Sequence, residues 1–359
     1  MRMLGSDRNT KTDPADSTAT AEVFMSSLLR LRLAVSIALG ALPSAFALAD
    51  ETVLVLSAYP AEQAQLLARL EPQPPEVFAT FNGRRFFAGT IAGKSVVMGL
   101  TGIGMLNAHR TTEAALAHFT AEGIPLRAIV FSGVAGTQTE DPDIHIGHVT
   151  IPRTWSGVAP DGTAIDPIAV DSNMLTIASG LVASGEVTLA QCVPVPDTAC
   201  LGPNDLPPTP LCMATPSQVH VVEDGYSSDP YGNRAPPCLS HAGDLLGCEA
   251  CGAPPNTEPG IAKFVEEGSE FLDPQFFQDL FEYFGGANEY TPDVVDMETA
   301  AVARLAKNTS IPFIAFRGSS DGSGDPLSLP GFPFQFFVYQ QLAADNTAAT
   351  VIEFLDRLP

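Results

Sequence analysis

Residues Val53–Leu66 have the sequence VLVLSAYPAEQAQL, in which a short apolar run leads directly into a helical pattern. Thr52–Ser57 is rich in aliphatic and β-branched side chains, which is typical of a strand buried on both faces. Pro60 is placed to begin a helix that continues through Leu70, with Glu62 in its first turn. A buried strand followed by a helix is the repeating unit of α/β proteins, so this stretch indicates the fold class.

The same alternation continues along the rest of the chain. Apolar runs predict further strands, and segments of helical period between them predict helices. We therefore expect one α/β domain with a central mixed, mostly parallel sheet flanked by helices. The predicted strands are 85–89, 95–100, 127–131, 147–151 and 311–317, and the predicted helices are one from Gly104 to about Phe119, 171–183, 273–284, 297–307 and one within 336–358.

Composition excludes several classes of protein. The chain has 359 residues with 18 basic and 41 acidic side chains, a formal charge of −23. Such a field repels polyanions, so nucleic acid is not an expected partner. A hydrophobic content of 45% is ordinary for a packed globule and argues against intrinsic disorder. The length suits one large α/β domain with insertions, or two average domains.

Residues 1–49 are predicted to be an N-terminal extension and a signal peptide. Arg30 and Arg32 precede an apolar stretch over 33–42, and Ala47-Leu48-Ala49 offers a small-residue cleavage site. The alternatives are a membrane anchor and a buried helix, but the apolar run is short for a bilayer span. Cleavage would leave an exported protein, periplasmic or secreted, without a membrane span and with its domain over 50–359.

All six cysteines lie in one segment, 192–260, which is rich in Pro, Gly and Asp and has no sustained apolar period. We interpret it as a disulfide-rich insertion on the surface of the domain. Export would favour pairing of all six cysteines in disulfides, although sequence alone does not choose the connectivity. The alternative is a zinc site that uses Cys248-x-x-Cys251. The cysteines are residues 192, 200, 212, 238, 248 and 251.

Carboxylates and a glycine turn follow the predicted strands. Glu62, the loop 133–136, Asp296 with Glu298, and Asp321 should meet at the carboxyl edge of the sheet, where such folds bind ligands. N-glycosidic cleavage needs an acid for the leaving base, a carboxylate to activate water and a group to hold the sugar hydroxyls. Each residue alone is equally compatible with a structural role, as a helix cap, a first-turn charge or a turn residue.

The ordered set of motifs resembles the nucleoside phosphorylase/nucleosidase superfamily. Within it, the pattern is most similar to the 5′-methylthioadenosine/S-adenosylhomocysteine nucleosidases. The resemblance covers about residues 52–190 and 261–359 and leaves out the cysteine-rich segment. The motifs are VLVLSAYPAEQAQL at 53–66, TGIG at 101–104, FSGVAG at 131–136, GHV at 147–149, VDME at 295–298 and RGSSD at 317–321.

The resemblance implies a role for each motif. Glu62 would deprotonate the attacking water, and Asp321 would interact with N7 of the purine and help adenine to leave. Glu298 would bind the ribose hydroxyls, with Met297 packing on the sugar and Arg317 close to both. The other implied substrate-binding residues are Ile103, Ala135, Gly136 and Phe271, the last as the aromatic ring that stacks on the base.

Two departures from the family pattern bear on the nucleophile. Phosphorolytic members place an arginine where this chain has Phe131 and a serine where it has Val134. The first loop, 57–62, also has no basic residue. Apolar side chains cannot neutralise a phosphate dianion, so water is the expected nucleophile. The nucleosidases also often have a serine at the position of Val134, which is therefore a departure from both groups.

The expected function is hydrolysis of the N-glycosidic bond of a purine nucleoside, an adenosine derivative such as 5′-methylthioadenosine or S-adenosylhomocysteine. The alternatives are a non-catalytic nucleoside-binding or storage-type protein on the same fold, and a phosphate-dependent phosphorylase. The expected partners are the nucleoside and water. The resemblance implies no cofactor or metal and a homo-oligomer. His145 and His148 are interpreted as structural, because no carboxylate accompanies them at metal-ligand spacing.

Overall fold

The computed structural model describes residues 51–138, 142–194, 210–232, 234–239, 245–254, 275 and 292–359. A ten-stranded sheet flanked by helices runs through these residues. The strands are β1 (Thr52–Ser57), β2 (Glu71–Phe81), β3 (Arg84–Ile91), β4 (Lys94–Leu100), β5 (Leu126–Thr137), β6 (Val149–Val158), β7 (Ala164–Ala169), β8 (Val219–Ser227), β9 (Val294–Asp296) and β10 (Phe313–Asp321). The helices are α1 (Pro60–Arg69), α2 (Met105–Glu122), α3 (Ser172–Ser184), α4 (Thr299–Thr309) and α5 (Phe334–Arg357).

The centre of the sheet is parallel, in the order β4–β1–β5–β10. At one end β2, β3 and β4 form an antiparallel meander. At the other end β10 pairs with β6, and pairing continues through β8 and β9 back to β5. These five strands therefore close into a ring. The mixed sheet with flanking helices confirms the predicted α/β class.

The predicted elements form where apolar pattern and capping agree. Every residue of β1 is buried, as expected of a central parallel strand. Helix α1 begins at Pro60, whose missing N–H is tolerated at a first helical position. Helix α3 is capped by Asp171, whose Oδ1 accepts from the backbone N–H groups of Asn173 and Met174, both at 3.0 Å.

Four strands were absent from the sequence prediction. β2 contains Pro72, Pro74 and Pro75, which argue against a strand in the sequence. They are tolerated because β2 is at the edge of the sheet. β7 and β9 are short. β8 lies within the segment expected to be a surface insertion, yet it pairs with β6 and β9 in the main sheet. The expectation of a purely surface segment is therefore wrong for Val219–Ser227. Apart from Gln275, the predicted helix 273–284 lies outside the described residues.

Two disulfides are described, Cys192–Cys212 and Cys238–Cys248, and Cys251 is also disulfide-bonded. Cys200 lies outside the described residues. Because Cys248 is in a disulfide, it has no thiolate to offer a metal, and the zinc alternative fails on this pairing. Within the described ranges, no group of three or more His, Cys, Asp or Glu side chains is arranged to hold a metal ion.

The predicted signal peptide lies outside the described residues and stays a prediction. Among the helices that are described, none combines the length and the apolar character needed to cross a bilayer. The homo-oligomer also stays a prediction, because the structure contains a single chain.

Candidate functional site

Three neighbouring strands end at one edge of the sheet and bring distant residues together. β1 leads into α1, which carries Glu62 in its first turn. β5 and β10 are parallel neighbours, and their register places Gly133 beside Arg317 and Gly136 beside Asp321. The strand order therefore assembles the carboxylates that the sequence places almost at opposite ends of the domain.

Arg317 is the only arginine in direct reach of the site carboxylates within the described residues, and its side chain is 0% exposed. Its Nη2 lies 2.7 Å from Oδ2 of Asp296 and 4.0 Å from Oε2 of Glu298. Its Nη1 lies 3.6 Å from Oε1 of Glu62. One guanidinium thus faces three buried carboxyl groups, which leaves an excess of negative charge if all three ionise.

The guanidinium is held by neutral groups as well. Its Nε and Nη2 donate to the Thr299 hydroxyl at 3.0 and 2.6 Å. Its Cζ lies 4.2 Å from the ring centroid of Phe131, within the range of a cation–π contact. Phe131 stands at a position where phosphorolytic members of the family have an arginine. In this protein its ring packs beneath Arg317.

Glycine at position 133 makes room for the ion pair. A Cβ atom there would lie 1.9 Å from Nη1 of Arg317 and 2.6 Å from Oε1 of Glu62. Neither distance is possible for real atoms, so any larger residue would separate the two side chains. The close approach of the β5 backbone, rather than a turn, is what requires glycine at this position.

Glu62 is 1% exposed and accepts hydrogen bonds at both oxygens. The backbone N–H of Val134 donates to Oε1 at 2.7 Å, and that of Ala58 donates to Oε2 at 2.5 Å. Burial raises the pKa of Glu62 from 4.5 to about 7, although Arg317 and these amides lower it. A carboxyl group with a pKa near neutrality is suited to exchange a proton with water.

Glu298 directly precedes α4 in the chain, and its side chain reaches both Arg317 and the start of α2. The backbone N–H of Gly104 donates to its Oε1 at 2.8 Å. Burial, followed by the nearby charge of Asp296, raises the pKa of Glu298 well above its ordinary value. Asp296 itself accepts from the backbone N–H groups of Glu298 and Thr299, both at 3.2 Å, and so holds the first residue of α4.

Asp321 ends β10, opposite Gly136. The Ser320 hydroxyl donates to its Oδ1 at 2.8 Å, and the space that a Cβ of Gly136 would occupy is 2.6 Å from Oδ2. Burial raises the pKa of Asp321 from 3.8 to about 6. Asp321 is therefore a second carboxyl group with a raised pKa, at the Gly136 end of the stretch whose Gly133 end meets Glu62. The sequence predicts a loop at 133–136, but these residues continue strand β5.

Two residues missed by the sequence analysis border this site. Asp229 accepts from the backbone N–H groups of Met105, at the start of α2, and of Tyr231, the latter at 2.9 Å. Burial raises the pKa of Asp229 to about 6. Cδ2 of Tyr231 lies 2.8 Å from where a Cβ of Gly104 would stand. Burial and then the charges of Glu298 and Asp229 raise the pKa of Tyr231.

These residues were missed because they follow β8, inside the segment set aside as an insertion. The available signal was the β-branched run over 219–222, followed by SSDPY at 227–231. The predicted aromatic, Phe271, lies outside the described residues, so its role stays a prediction. Tyr231 is an aromatic side chain that the structure does place beside Glu298.

The remaining predicted site residues lie at the same edge. Ile103 is half-buried between Gly102 and Gly104 and packs against an apolar cluster beside Glu62. The carbonyl oxygen of Ala135 accepts from the Ser320 hydroxyl at 3.3 Å. Met297 is half-buried between Asp296 and Glu298. His148, which is interpreted from the sequence as structural and not as a site residue, is buried, and its Nδ1 lies 2.9 Å from Nε2 of His220.

Comparison with known proteins finds matches on both sides of the cysteine-rich segment. The family described as the phosphorylase superfamily matches residues 52–191 and 279–356. A relative from Mycobacterium tuberculosis, an uncharacterized protein, is 36% identical over 201 residues, which cover 55% of this chain and 76% of that protein. The chain belongs to the phosphorylase superfamily.

Solved structures share the fold. A 5′-methylthioadenosine/S-adenosylhomocysteine nucleosidase from Neisseria meningitidis, in complex with methylthio-immucillin-A, has a TM-score of 0.51 and 18% identity, covering 86% of this chain and 100% of that one. An S-adenosylhomocysteine nucleosidase from Streptococcus pyogenes has a TM-score of 0.51 and 16% identity over 87% and 99% of the two chains. The futalosine hydrolase of Helicobacter pylori has a TM-score of 0.50 and 15% identity over 86% and 99%.

The raised pKa of Glu62 predicts how stability should depend on pH. The folded protein binds this proton more tightly than the unfolded chain, so the stability it contributes is complete below about pH 4.5 and is lost as pH rises through about 7. Glu62→Gln cannot ionise. The free energy of unfolding of the variant, minus that of wild type, should therefore increase by up to about 3 kcal/mol between about pH 5 and about pH 8.

The measurement is urea denaturation of both proteins at several pH values. Glu76→Gln, which makes the same change on the exposed edge strand β2, is the matched control and should show no such gain. A constant difference between Glu62→Gln and wild type across this range would contradict the raised pKa.

Proposed function

We propose that this protein hydrolyses the N-glycosidic bond of a purine nucleoside, an adenosine derivative such as 5′-methylthioadenosine or S-adenosylhomocysteine, and releases the free base. The observation that carries the proposal is the placement of Glu62, Glu298 and Asp321 at one edge of the sheet, each with a raised pKa. The names of the Neisseria, Streptococcus and Helicobacter proteins that share the fold support the same class of reaction.

In the proposed reaction, Glu62 is the general base. Its carboxylate takes a proton from water as the water oxygen bonds to C1′ of the sugar. The backbone N–H groups of Val134 and Ala58 fix both carboxylate oxygens, so the base is oriented before substrate binds. A pKa of about 7 makes the group basic enough to accept this proton and still ionised in part at neutral pH.

Asp321 is the general acid. The bond between C1′ and the base nitrogen breaks, its electron pair stays on the base, and Asp321 donates a proton to N7. The Ser320 hydroxyl holds Oδ1, which leaves Oδ2 on the side of Gly136 for the purine. The products are the free base and a free sugar, and a proton is returned from Glu62 to Asp321 through solvent.

Glu298 holds the ribose hydroxyls in this proposal, with Met297 and Tyr231 beside the sugar and base. The bond from the Gly104 N–H to Oε1 sets the position of this carboxylate. As the glycosidic bond breaks, positive charge develops at C1′, as in other glycosyl transfers. Glu62, when ionised, then provides negative charge that Arg317 only partly balances, because its Nη2 is 2.7 Å from Asp296.

The geometry favours water over phosphate as the nucleophile. In the family pattern, the positions of Phe131 and Val134 carry the arginine and serine of the phosphorolytic members, and here Phe131 packs under Arg317 instead. Arg317 is fully buried and already contacts Asp296, so it does not offer its charge to an incoming dianion. Two carboxyl groups whose pKa values are raised by burial, at one edge of a sheet, are typical of catalytic sites, which favours catalysis over binding alone.

We also propose that the protein is exported to the periplasm or the extracellular space. The disulfides Cys192–Cys212 and Cys238–Cys248 are compatible with an oxidising compartment.

The first test is the dependence on phosphate. Purified protein is incubated with 5′-methylthioadenosine, adenosine, inosine and uridine, with and without inorganic phosphate, and the free base and sugar are measured. We expect adenine and free 5-methylthioribose in the absence of phosphate. Formation of a sugar 1-phosphate, or strict dependence on phosphate, would show a phosphorylase, and binding of all four without cleavage would show a binding protein.

The second test concerns the acid and the base. Asp321→Asn keeps the shape but has no proton to give, and Glu62→Gln cannot take one from water. Each should lower kcat by about 10²–10⁴-fold, with a much smaller change in nucleoside binding. The double variant should lose less than the product of the two losses, because the residues act in one step. Near wild-type turnover by either single variant would remove that residue from the mechanism.

The third test is the pH profile. Activity requires ionised Glu62, with a pKa of about 7, and protonated Asp321, with a pKa of about 6. The ionised fraction of Glu62 rises with pH and the protonated fraction of Asp321 falls, so the pH profile of kcat/KM should be bell-shaped with a maximum at about pH 6.5. A kcat/KM that rises steadily to alkaline pH would contradict the assignment of Asp321 as the acid.

A further inference from the structure

Asp229 is a half-buried carboxyl group that the proposed mechanism leaves without a role. It follows β8 in the chain, yet it meets the first turn of α2, 124 residues away in sequence. Its Oδ2 accepts from the backbone N–H of Met105, and its Oδ1 accepts from the backbone N–H of Tyr231 at 2.9 Å. Asp229 therefore joins the end of β8 to the start of α2.

The first turn of α2 is capped by side chains from elsewhere in the chain. Gly104 precedes the helix and has no side chain, and the first turn contains no acidic residue. The N–H of Gly104 donates to Oε1 of Glu298 at 2.8 Å. The next N–H along the chain, that of Met105, donates to Asp229. Two carboxyl groups from different parts of the chain therefore bind consecutive N–H groups at the positive end of α2.

Gly104 is the flexible point between these two contacts. Its φ of 92° is a conformation that glycine adopts far more readily than other residues. The space that a Cβ would occupy there lies 3.2 Å from Oδ2 of Asp229 and 2.8 Å from Cδ2 of Tyr231, so both side chains pack directly on the turn. A glycine with this freedom keeps its N–H in one direction only if the peptide planes on both sides of it are held.

Each of those two peptide planes is held by one side chain. On one side, Nδ2 of Asn107 donates to the carbonyl oxygen of Ile103 at 2.9 Å, and this oxygen belongs to the same peptide plane as the Gly104 N–H. On the other side, Asp229 binds the N–H in the plane that follows Gly104. Asp229 therefore restrains the rotation of Gly104 and, through it, the N–H that positions Glu298.

We propose that Asp229 is a positioning residue for Glu298 and that it sets the preference of the enzyme for a sugar with both ribose hydroxyls. This inference rests on the proposed function, in which Glu298 binds those hydroxyls. A hydroxyl gains a strong hydrogen bond only from an acceptor that is already held in the correct place. Without Asp229, the turn at Gly104 rotates more freely and Glu298 loses its fixed orientation. A substrate that lacks a hydroxyl is then at less of a disadvantage.

The test measures how strongly the enzyme prefers a sugar with both hydroxyls. The substrates are the adenosine derivative that wild type cleaves fastest and the 2′-deoxy and 3′-deoxy forms of that nucleoside. Hydroxyl preference is defined as kcat/KM for the complete ribonucleoside divided by kcat/KM for the poorer of the two deoxy forms. We expect Asp229→Ala to lower the hydroxyl preference about tenfold, the order of one hydrogen bond.

Asp171→Ala is the matched control. Asp171 also accepts from two backbone N–H groups at the start of a helix, those of Asn173 and Met174, but this helix is α3. The substitution therefore removes the same kind of contact from a helix that has no part in the proposed site. We expect the thermal midpoint to fall in both alanine variants, and the hydroxyl preference of Asp171→Ala to stay within about twofold of wild type.

Two further variants show how Asp229 acts. Asp229→Asn covers the case in which the alanine variant folds poorly. The amide keeps the shape but has one acceptor oxygen instead of two, so the hydroxyl preference should fall by less than in Asp229→Ala. Asp229→Ala is also combined with Glu298→Ala, and residual cleavage is followed with enzyme in excess. No carboxyl group remains there to be positioned, so the loss of Asp229 should lower the preference no further than Glu298→Ala alone.

The outcomes separate this inference from the proposed function. If wild type cleaves no purine nucleoside, the proposed function is wrong. If wild type cleaves its substrate but the hydroxyl preference is unchanged in Asp229→Ala and Asp229→Asn, the function stands and Asp229 is not a positioning residue. An equal fall in Asp171→Ala would contradict the inference, because it would show an effect of stability. A fall that persists in full without Glu298 would also contradict it, because Asp229 would then act independently of that carboxyl group.

Discussion

The site depends on one buried cation, Arg317, surrounded by more negative groups than it can balance. A guanidinium removed from water is costly unless it is paired and hydrogen-bonded, and here Asp296 and Thr299 meet that need at 2.7 and 2.6 Å. Glu62 and Glu298 are more distant partners, at 3.6 and 4.0 Å, so they receive only part of its charge. Burial therefore outweighs the attraction, and both carboxyl groups have a raised pKa.

This arrangement is built by the backbone as much as by the side chains. The register of β5 and β10 places a glycine next to Arg317 and a second glycine next to Asp321. Gly133 leaves the volume in which the guanidinium meets Glu62, and Gly136 leaves the volume beside Oδ2 of Asp321. Because the strands are central and buried, these positions are held by the whole sheet rather than by a loop.

The sequence predicts the parts of this protein in which local pattern and burial agree. β1, α1 and the parallel centre of the sheet follow from apolar runs and from Pro60, and the motifs after these strands indicate the site carboxylates. The partner role of Asp296 was not predicted, because an aspartate before a helix has the same local signature whether or not it binds an arginine across the sheet. Pairing over such distances depends on register, which no short window of sequence contains.

β8 was lost for a different reason. Cysteines, prolines and glycines surround it in the sequence, so the composition of the segment indicated an irregular structure in spite of the β-branched residues of β8. Pairing with β6 and β9 supplies the hydrogen bonds that make it a strand, and those partners lie far away in the chain. Asp229 and Tyr231 were lost with it, since their importance comes from following a strand that ends at the site.

The position of β8 between two disulfides has a consequence for a chain that a protease has cut. Cys192–Cys212 precedes this strand and Cys238–Cys248 follows it. A protease that cuts the backbone once inside either covalent loop leaves both cut ends joined through sulfur. Neither fragment can diffuse away, and the strand can return to its place in the ring of strands after local opening. The two disulfides therefore keep β8 joined to the rest of the chain after a single cut inside either loop.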